Sequence, residues 1–186
     1  MARFTRDELE AARERTIPDV VADGLRVLFC GINPGLWSAA AGLHFARPGN
    51  RFWPALHASG FTPKQLPPEE QHRLPELGVG ITNIVSRPSA RADELTRGEL
   101  REGGRKLLDK VGVRRPDWLA VVGITAYRVA LGAPRAQVGP QEAPYGATRV
   151  WVLPNPSGLN AHWTPTTLAE AFADLRRAAG VPDARR

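Results

Sequence analysis

An α/β fold, a three-layer sandwich around a central, mostly parallel four-stranded sheet, is what this sequence predicts. Four short apolar runs, 25–32, 79–85, 118–123 and 149–153, are continuous, as strands buried on both faces are. Stretches with helical spacing separate them, and strands alternating with helices build βαβ units. Two of the runs stop at rigid polar turns, Asn33-Pro34-Gly35 and Pro154-Asn155-Pro156-Ser157-Gly158. Proline cannot continue a ladder, so each turn leaves the carboxyl end of its strand, the edge where open α/β sheets bind ligands.

The elements follow in order. Residues 7–15 read as a short charged helix that Ile17-Pro18 ends. After the first strand, 25–32, residues 36–49 are rich in Ala and Gly and read as a long loop. Asn50 is the N-cap of a helix whose first turn is Arg51-Phe52-Trp53-Pro54 and which ends near Ser59-Gly60. Residues 62–78 are loop with a short helix around 68–74, and the second strand is 79–85. A polar loop, 87–96, leads to a helix over 97–111, with Leu100, Leu107, Leu108 and Val111 on its apolar face. The third strand, 118–123, precedes a short helix over 125–131 and a Pro- and Gly-containing loop over 137–148. The fourth strand is 149–153, and Thr164-Pro165 opens a closing helix that runs to Ala179.

A chain of 186 residues that is 42% hydrophobic suits one domain with one core. Residues 1–24 are expected as its N-terminal helix and lead-in, and 180–186 as a flexible tail. No apolar stretch approaches the roughly 20 residues of a membrane span, and the first residues lack the apolar core of a secretory signal. A cytoplasmic monomer with no membrane contact is the expectation. Cys30, the single cysteine, excludes an intrachain disulfide and a Cys-ligated cluster. His44, His57, His72 and His162 form no close-spaced ligand pair, so no metal and no cofactor are expected. The net charge of +6 favours polyanionic partners.

Five blocks recur in a recognisable order across residues 25–178. They are Gly31-Ile32-Asn33-Pro34-Gly35; Phe45-Ala46 with Pro48; Asn50-Arg51-Phe52-Trp53; Arg101-Glu102-Gly103-Gly104-Arg105-Lys106-Leu107; and Leu153-Pro154-Asn155-Pro156-Ser157-Gly158. Together they resemble the mismatch-specific uracil/thymine-DNA glycosylase family. The resemblance implies a uracil-DNA glycosylase-like fold and removal of a mispaired or damaged pyrimidine, flipped from the duplex into a pocket. Its implied partner is double-stranded DNA containing uracil or a mismatched or modified pyrimidine, with single-stranded DNA as a further candidate.

The residues can be read for that chemistry directly. A flipped base needs an aromatic face, edge hydrogen bonds, a water aimed at the sugar and a wedge for the vacated stack. Asn33 carries an amide able to orient water, and the resemblance implies that role; capping the turn before Pro34 is the alternative. Ile32 narrows the pocket beside it, so uracil is expected over thymine, by the modest margin that one methyl supplies. Backbone N–H groups near Ile32 could stabilise the departing base anion. Phe45 is the stacking platform, or else a core side chain. Asn83, polar in an apolar strand, reads a base edge or bonds a neighbouring loop.

An asparagine cannot take a proton as a carboxylate does, so Asp93, in the loop after the second strand, is the candidate to activate the water. Its alternatives are a solvated charge or a cap for the following helix. Leu159 resembles the family's intercalating residue, and apolar wedges do unstack base steps. Asn155 and Gly158 lie in the same segment. Ser38, Ser157 and His162 are candidates for flanking phosphates. None of the three lysines, Lys64, Lys106 and Lys110, falls at the turns that form the expected cleft, so lyase chemistry through a Schiff base is not expected. A non-catalytic DNA-binding module and a hydrolase of free nucleosides remain the competing readings.

Overall fold

The four apolar runs form parallel strands in the computed structural model, which describes residues 4–186. They are β1 (Val27–Gly31), β2 (Val79–Asn83), β3 (Trp118–Val122) and β5 (Arg149–Leu153), with a two-residue β4 (Gly139–Pro140) between the last two in sequence. The sheet order is β2–β1–β3–β5–β4, parallel except for β4, which runs antiparallel to β5. The sheet therefore has five strands where the sequence predicts four. Pro140 has no N–H to donate, and a strand so short, with a proline, is tolerated only at an edge.

Side-chain parity divides the core. Val27, Phe29, Ile81, Ala120, Trp151 and Leu153 face one side, packed by α3 (Phe52–Ala58) and α6 (Pro165–Ala178). Leu28, Cys30, Leu119, Val121, Val150 and Val152 face the other, packed by α4 (Arg97–Arg114) and α5 (Ile124–Ala130). The three expected layers result. Helix α4 comes close because Gly103 and Gly104 have no side chains: a Cβ at each would stand 2.4 Å from Ile84 O and 2.2 Å from Ala130 O.

Local signals set the helix ends. Thr96 caps α4 and Thr164 caps α6, each in a capping box. The N-cap of α3 is Arg51 rather than the expected Asn50, because the helix starts one residue later; Asn50 Oδ1 accepts from Phe52 N–H at 2.9 Å in the turn that leads in. The charged N-terminal helix is α1 (Arg6–Ala11) with a 3-10 turn, Ala12–Glu14, after it. The first three residues of the lead-in lie outside the described residues. The segment expected as one long loop holds α2 (Leu36–Ala41). Three successive alanines favour helix over loop, and Gly42, at φ +68, terminates it.

The segment 180–186, expected as a flexible tail, is tied to the end of α3. Ala184 N–H donates to Gly60 O, Arg185 to Ala58 O, and Arg176 spans Ser59 O and Val181 O. Among the described residues no helix is long and apolar enough to cross a membrane.

Candidate active site

Because β2 lies on one side of β1 and β3 on the other, the connections after β1 and β3 leave in opposite directions and open a crevice at the carboxyl ends of the strands. A cavity of about 360 Å³ occupies this crevice. Asn33 from the turn after β1, Asn83 at the end of β2, Phe45 from the α2–α3 loop and Leu159 from the loop after β5 all line it. The two Asn-Pro turns, distant in sequence, thus share one cavity.

The Asn33 amide has a fixed orientation. Its Nδ2 lies 2.9 Å from Arg87 O, an obligatory acceptor, and 2.8 Å from Ser89 Oγ. Ser89 spends its hydroxyl hydrogen on Arg91 O at 2.6 Å, so it accepts from Asn33. Both neighbours require Nδ2 on this side. Asn33 Oδ1, with no hydrogen-bond donor among the described residues, is left as the acceptor available to a water.

Gly31 is why the pocket floor is polar and aromatic. A Cβ there would stand 2.5 Å from Asn83 Oδ1 and 3.1 Å from the Phe45 ring. Phe45 is half-buried, stacked on Phe52 at 4.0 Å between centroids with 16° between planes. It is at once a core contact and a wall of the cavity. Its backbone has φ +53, a conformation costly for an aromatic residue and held by its surroundings. Asn83 Nδ2 is 3.3 Å from His44 Nδ1, and His44 Nε2 is 3.0 Å from Pro18 O. Ile32 lines the cavity and packs on the Gly123 backbone, where a Cβ would stand 3.0 Å from its Cδ1.

Asp93 sits on the cavity rim with both carboxylate oxygens held by Arg91, at 2.5 and 3.1 Å. The cap of the following helix is Thr96. Of the readings of Asp93, capping is excluded; an exposed charge and a rim carboxylate able to reach a water both fit its place.

Leu159 is 80% exposed at the tip of its loop. The loop is built from within. Asn155 Oδ1 accepts from Ser157 N–H at 2.9 Å, Ser157 Oγ from Leu159 N–H at 3.3 Å, and Asn160 Nδ2 donates to Asn155 O at 3.0 Å. A Cβ at Gly158 would stand 2.6 Å from Gly49 O, so that glycine lets the loop seat on its neighbour. Asn155, a candidate DNA contact, spends its side-chain oxygen on this turn. Ser38, another, is 5% exposed; its Oγ accepts from Ala46 N–H at 3.1 Å, and it lines the cavity. His162 is exposed and lies outside the cavity lining.

Three side chains that sequence reasoning missed belong to the site. Arg51 reaches under the Leu159 loop to Ser157 O, Asn160 O and Trp163 O at 2.6, 2.9 and 2.5 Å. Arg47, exposed, adds positive charge to the rim. His44, 2% exposed, meets Asn83 on the cavity wall. Arg51, Arg47 and His44 all sit in or beside the Phe45–Trp53 blocks; a polar residue flanking two aromatic ones was the available signal.

The family described as the uracil DNA glycosylase superfamily matches residues 18–176 of the chain. Among solved structures, the chain resembles the solution NMR structure of a candidate uracil DNA glycosylase from Methanosarcina acetivorans. The TM-score is 0.59 and the identity 19%, over 88% of this chain and 97% of the other. At that identity the likeness bears on the fold.

Proposed function

The chain belongs to the uracil-DNA glycosylase superfamily, and on that premise we propose that it is a monofunctional, mismatch-specific glycosylase acting on uracil in duplex DNA. One observation carries this reading: Asn33, with its amide oxygen free, and the exposed Leu159 face the same cavity. An apolar side chain four-fifths exposed on a loop held by three hydrogen bonds from Arg51 suits a wedge that enters a base stack. A free nucleoside needs no such wedge.

The reaction follows from the parts. Leu159 fills the stack that the base vacates, and Arg47 and Arg91 on the rim suit the flanking phosphates. The flipped base stacks on the free face of Phe45, opposite the face that Phe52 covers. Such stacking is worth roughly 1–3 kcal/mol per base. Asn83 turns an amide donor and acceptor toward the pyrimidine edge. Asn33 Oδ1 accepts a hydrogen bond from a water and aims its oxygen at the sugar C1′. The C1′–N1 bond breaks with its electrons going to the base, the water oxygen bonds C1′, and the water's proton ends on solvent or the departing base. Asp93 joins the reaction only where DNA phosphates draw Arg91 away from it.

Ile32 beside Asn33 supports uracil over thymine, a difference of about 1–3 kcal/mol for one methyl. The test is a single-turnover excision panel with uracil, thymine and modified cytosine opposite each base, on duplex and single strands. Excision of uracil from a duplex that Asn33→Ala reduces about a hundredfold or more supports the reading. A wild-type protein that binds these duplexes and releases no base favours the non-catalytic alternative.

A further inference from the structure

We propose that His44 is the positioning residue that sets which way round the Asn83 amide faces the base, and thereby makes the pocket select uracil against cytosine. The inference rests on the reading of Asn83 as the base-edge contact.

The geometry assigns the tautomer. His44 Nε2 is 3.0 Å from Pro18 O, which can only accept, so Nε2 carries the hydrogen. In the neutral ring Nδ1 is then an acceptor, and it faces Asn83 at 3.3 Å. Asn83 must present Nδ2 to it. The ring's setting is held at Nε2–H by Pro18 O, and the backbone that carries it is anchored as well: His44 N–H donates to Gln71 Oε1 at 2.9 Å, and His44 O accepts from Trp53 Nε1 at 3.1 Å. One Nδ2 hydrogen is thereby committed, and Oδ1 and the second hydrogen keep a fixed order along the cavity wall.

That order matters because the two pyrimidines carry opposite patterns. Uracil offers an acceptor at O4 and a donor at N3–H; cytosine offers a donor at its amino group and an acceptor at N3. An amide free to rotate fits either, and one held in place fits one. Protonation of His44 puts a hydrogen on Nδ1, opposes two donors across the contact and drives the amide to turn round.

Burial holds the His44 pKa below the ordinary histidine range, working against its bond to Pro18. Asp19 from the lead-in raises it and Lys110 from α4 lowers it, and these two are paired with each other at 2.5 Å. The ring is therefore neutral near neutral pH, and the amide turns only in acid.

The experiment measures binding of duplexes carrying non-cleavable 2′-fluoro analogues of deoxyuridine and deoxycytidine, from about pH 5 to about pH 8, for the wild type, His44→Leu and His44→Asn. Asparagine can place an acceptor near the Nδ1 position. Wild-type preference for the uracil duplex should fall about tenfold toward the acid end, the worth of one hydrogen bond. His44→Leu should lose about tenfold at neutral pH and show no acid limb, and His44→Asn should recover most of the loss without restoring the limb. Long-range ¹H–¹⁵N spectra of the imidazole should show the Nε2–H tautomer whatever the activity. A His44→Leu protein that melts lower yet keeps the wild-type preference and acid limb overturns the proposal, as does the Nδ1–H tautomer. Absence of uracil excision with the tautomer and the binding preference intact overturns the glycosylase reading alone.

Discussion

Asn33 Nδ2 donates to Ser89 Oγ at 2.8 Å, tying the turn after β1 to the loop after β2. Ser89 is 1% exposed and passes its own hydrogen to Arg91 O. The oxygen that would orient a nucleophilic water is therefore aimed by a buried hydroxyl whose own hydrogen is already spent on Arg91 O. Ser89→Ala leaves the amide resting mainly on Arg87 O. Single-turnover uracil excision should fall about tenfold at saturating enzyme, with a stability loss of about 1 kcal/mol in denaturant titration. Asn33→Ala, which removes the bonds to both Ser89 Oγ and Arg87 O, should lose far more activity and at least as much stability.

Leu159 touches little of the protein, so Leu159→Ala should leave stability within about 0.5 kcal/mol. Excision from a well-paired duplex should nevertheless drop at least about tenfold, because apolar wedging offsets an unstacking cost of a few kcal/mol. Excision from single-stranded DNA, where no stack is opened, should change little. Equal losses on both substrates would remove the wedge role.

Arg51 holds three carbonyls of the Leu159 loop. Arg51→Lys keeps the charge but has one nitrogen where the guanidinium has a planar fork, so it cannot span the same three acceptors. Amide hydrogen exchange over residues 157–163 should speed up markedly while the strands remain protected. Excision from duplex DNA should fall with it, and more than excision from single strands.

Glu99 couples α4 to the site through Arg87, whose carbonyl receives Asn33. The Arg87 guanidinium, together with the backbone and hydroxyl of Thr96, holds the Glu99 carboxyl down to about 2. A carboxylate with a lowered folded pKa stabilises the fold above its unfolded value. That contribution is fully present above about pH 4.5 and is lost as pH falls toward 2. Thermal melts of wild type and Glu99→Gln should differ near neutral pH and converge over that acid window.

The layers of the fold were legible because each signal acts over a few residues. Continuous apolar runs marked β1, β2, β3 and β5, the apolar spacing of Leu100, Leu107 and Val111 marked α4, and Thr164-Pro165 announced α6. The two-residue β4 was not legible, since Gly139-Pro140 becomes a strand only by pairing with Trp151 and Val152. Helix α2 was hidden by its glycine-rich flanks.

By itself the sequence determined that two proline-stiffened turns leave the ends of buried strands, and that Asn33, Phe45, Asn83 and Leu159 were the side chains to watch. Only the tertiary structure decided what each can do. It tied Asn155 and Ser38, both in the cavity lining, into loop hydrogen bonds, engaged Asp93 with Arg91, and brought His44 and Arg51 into the site. The physical reason is separation along the chain. An amide is oriented by whichever donors and acceptors surround it. Asn33 meets Ser89 56 residues away, and Arg51 meets Trp163 112 residues away. No local pattern records a partner that the parallel register of the sheet must first bring near.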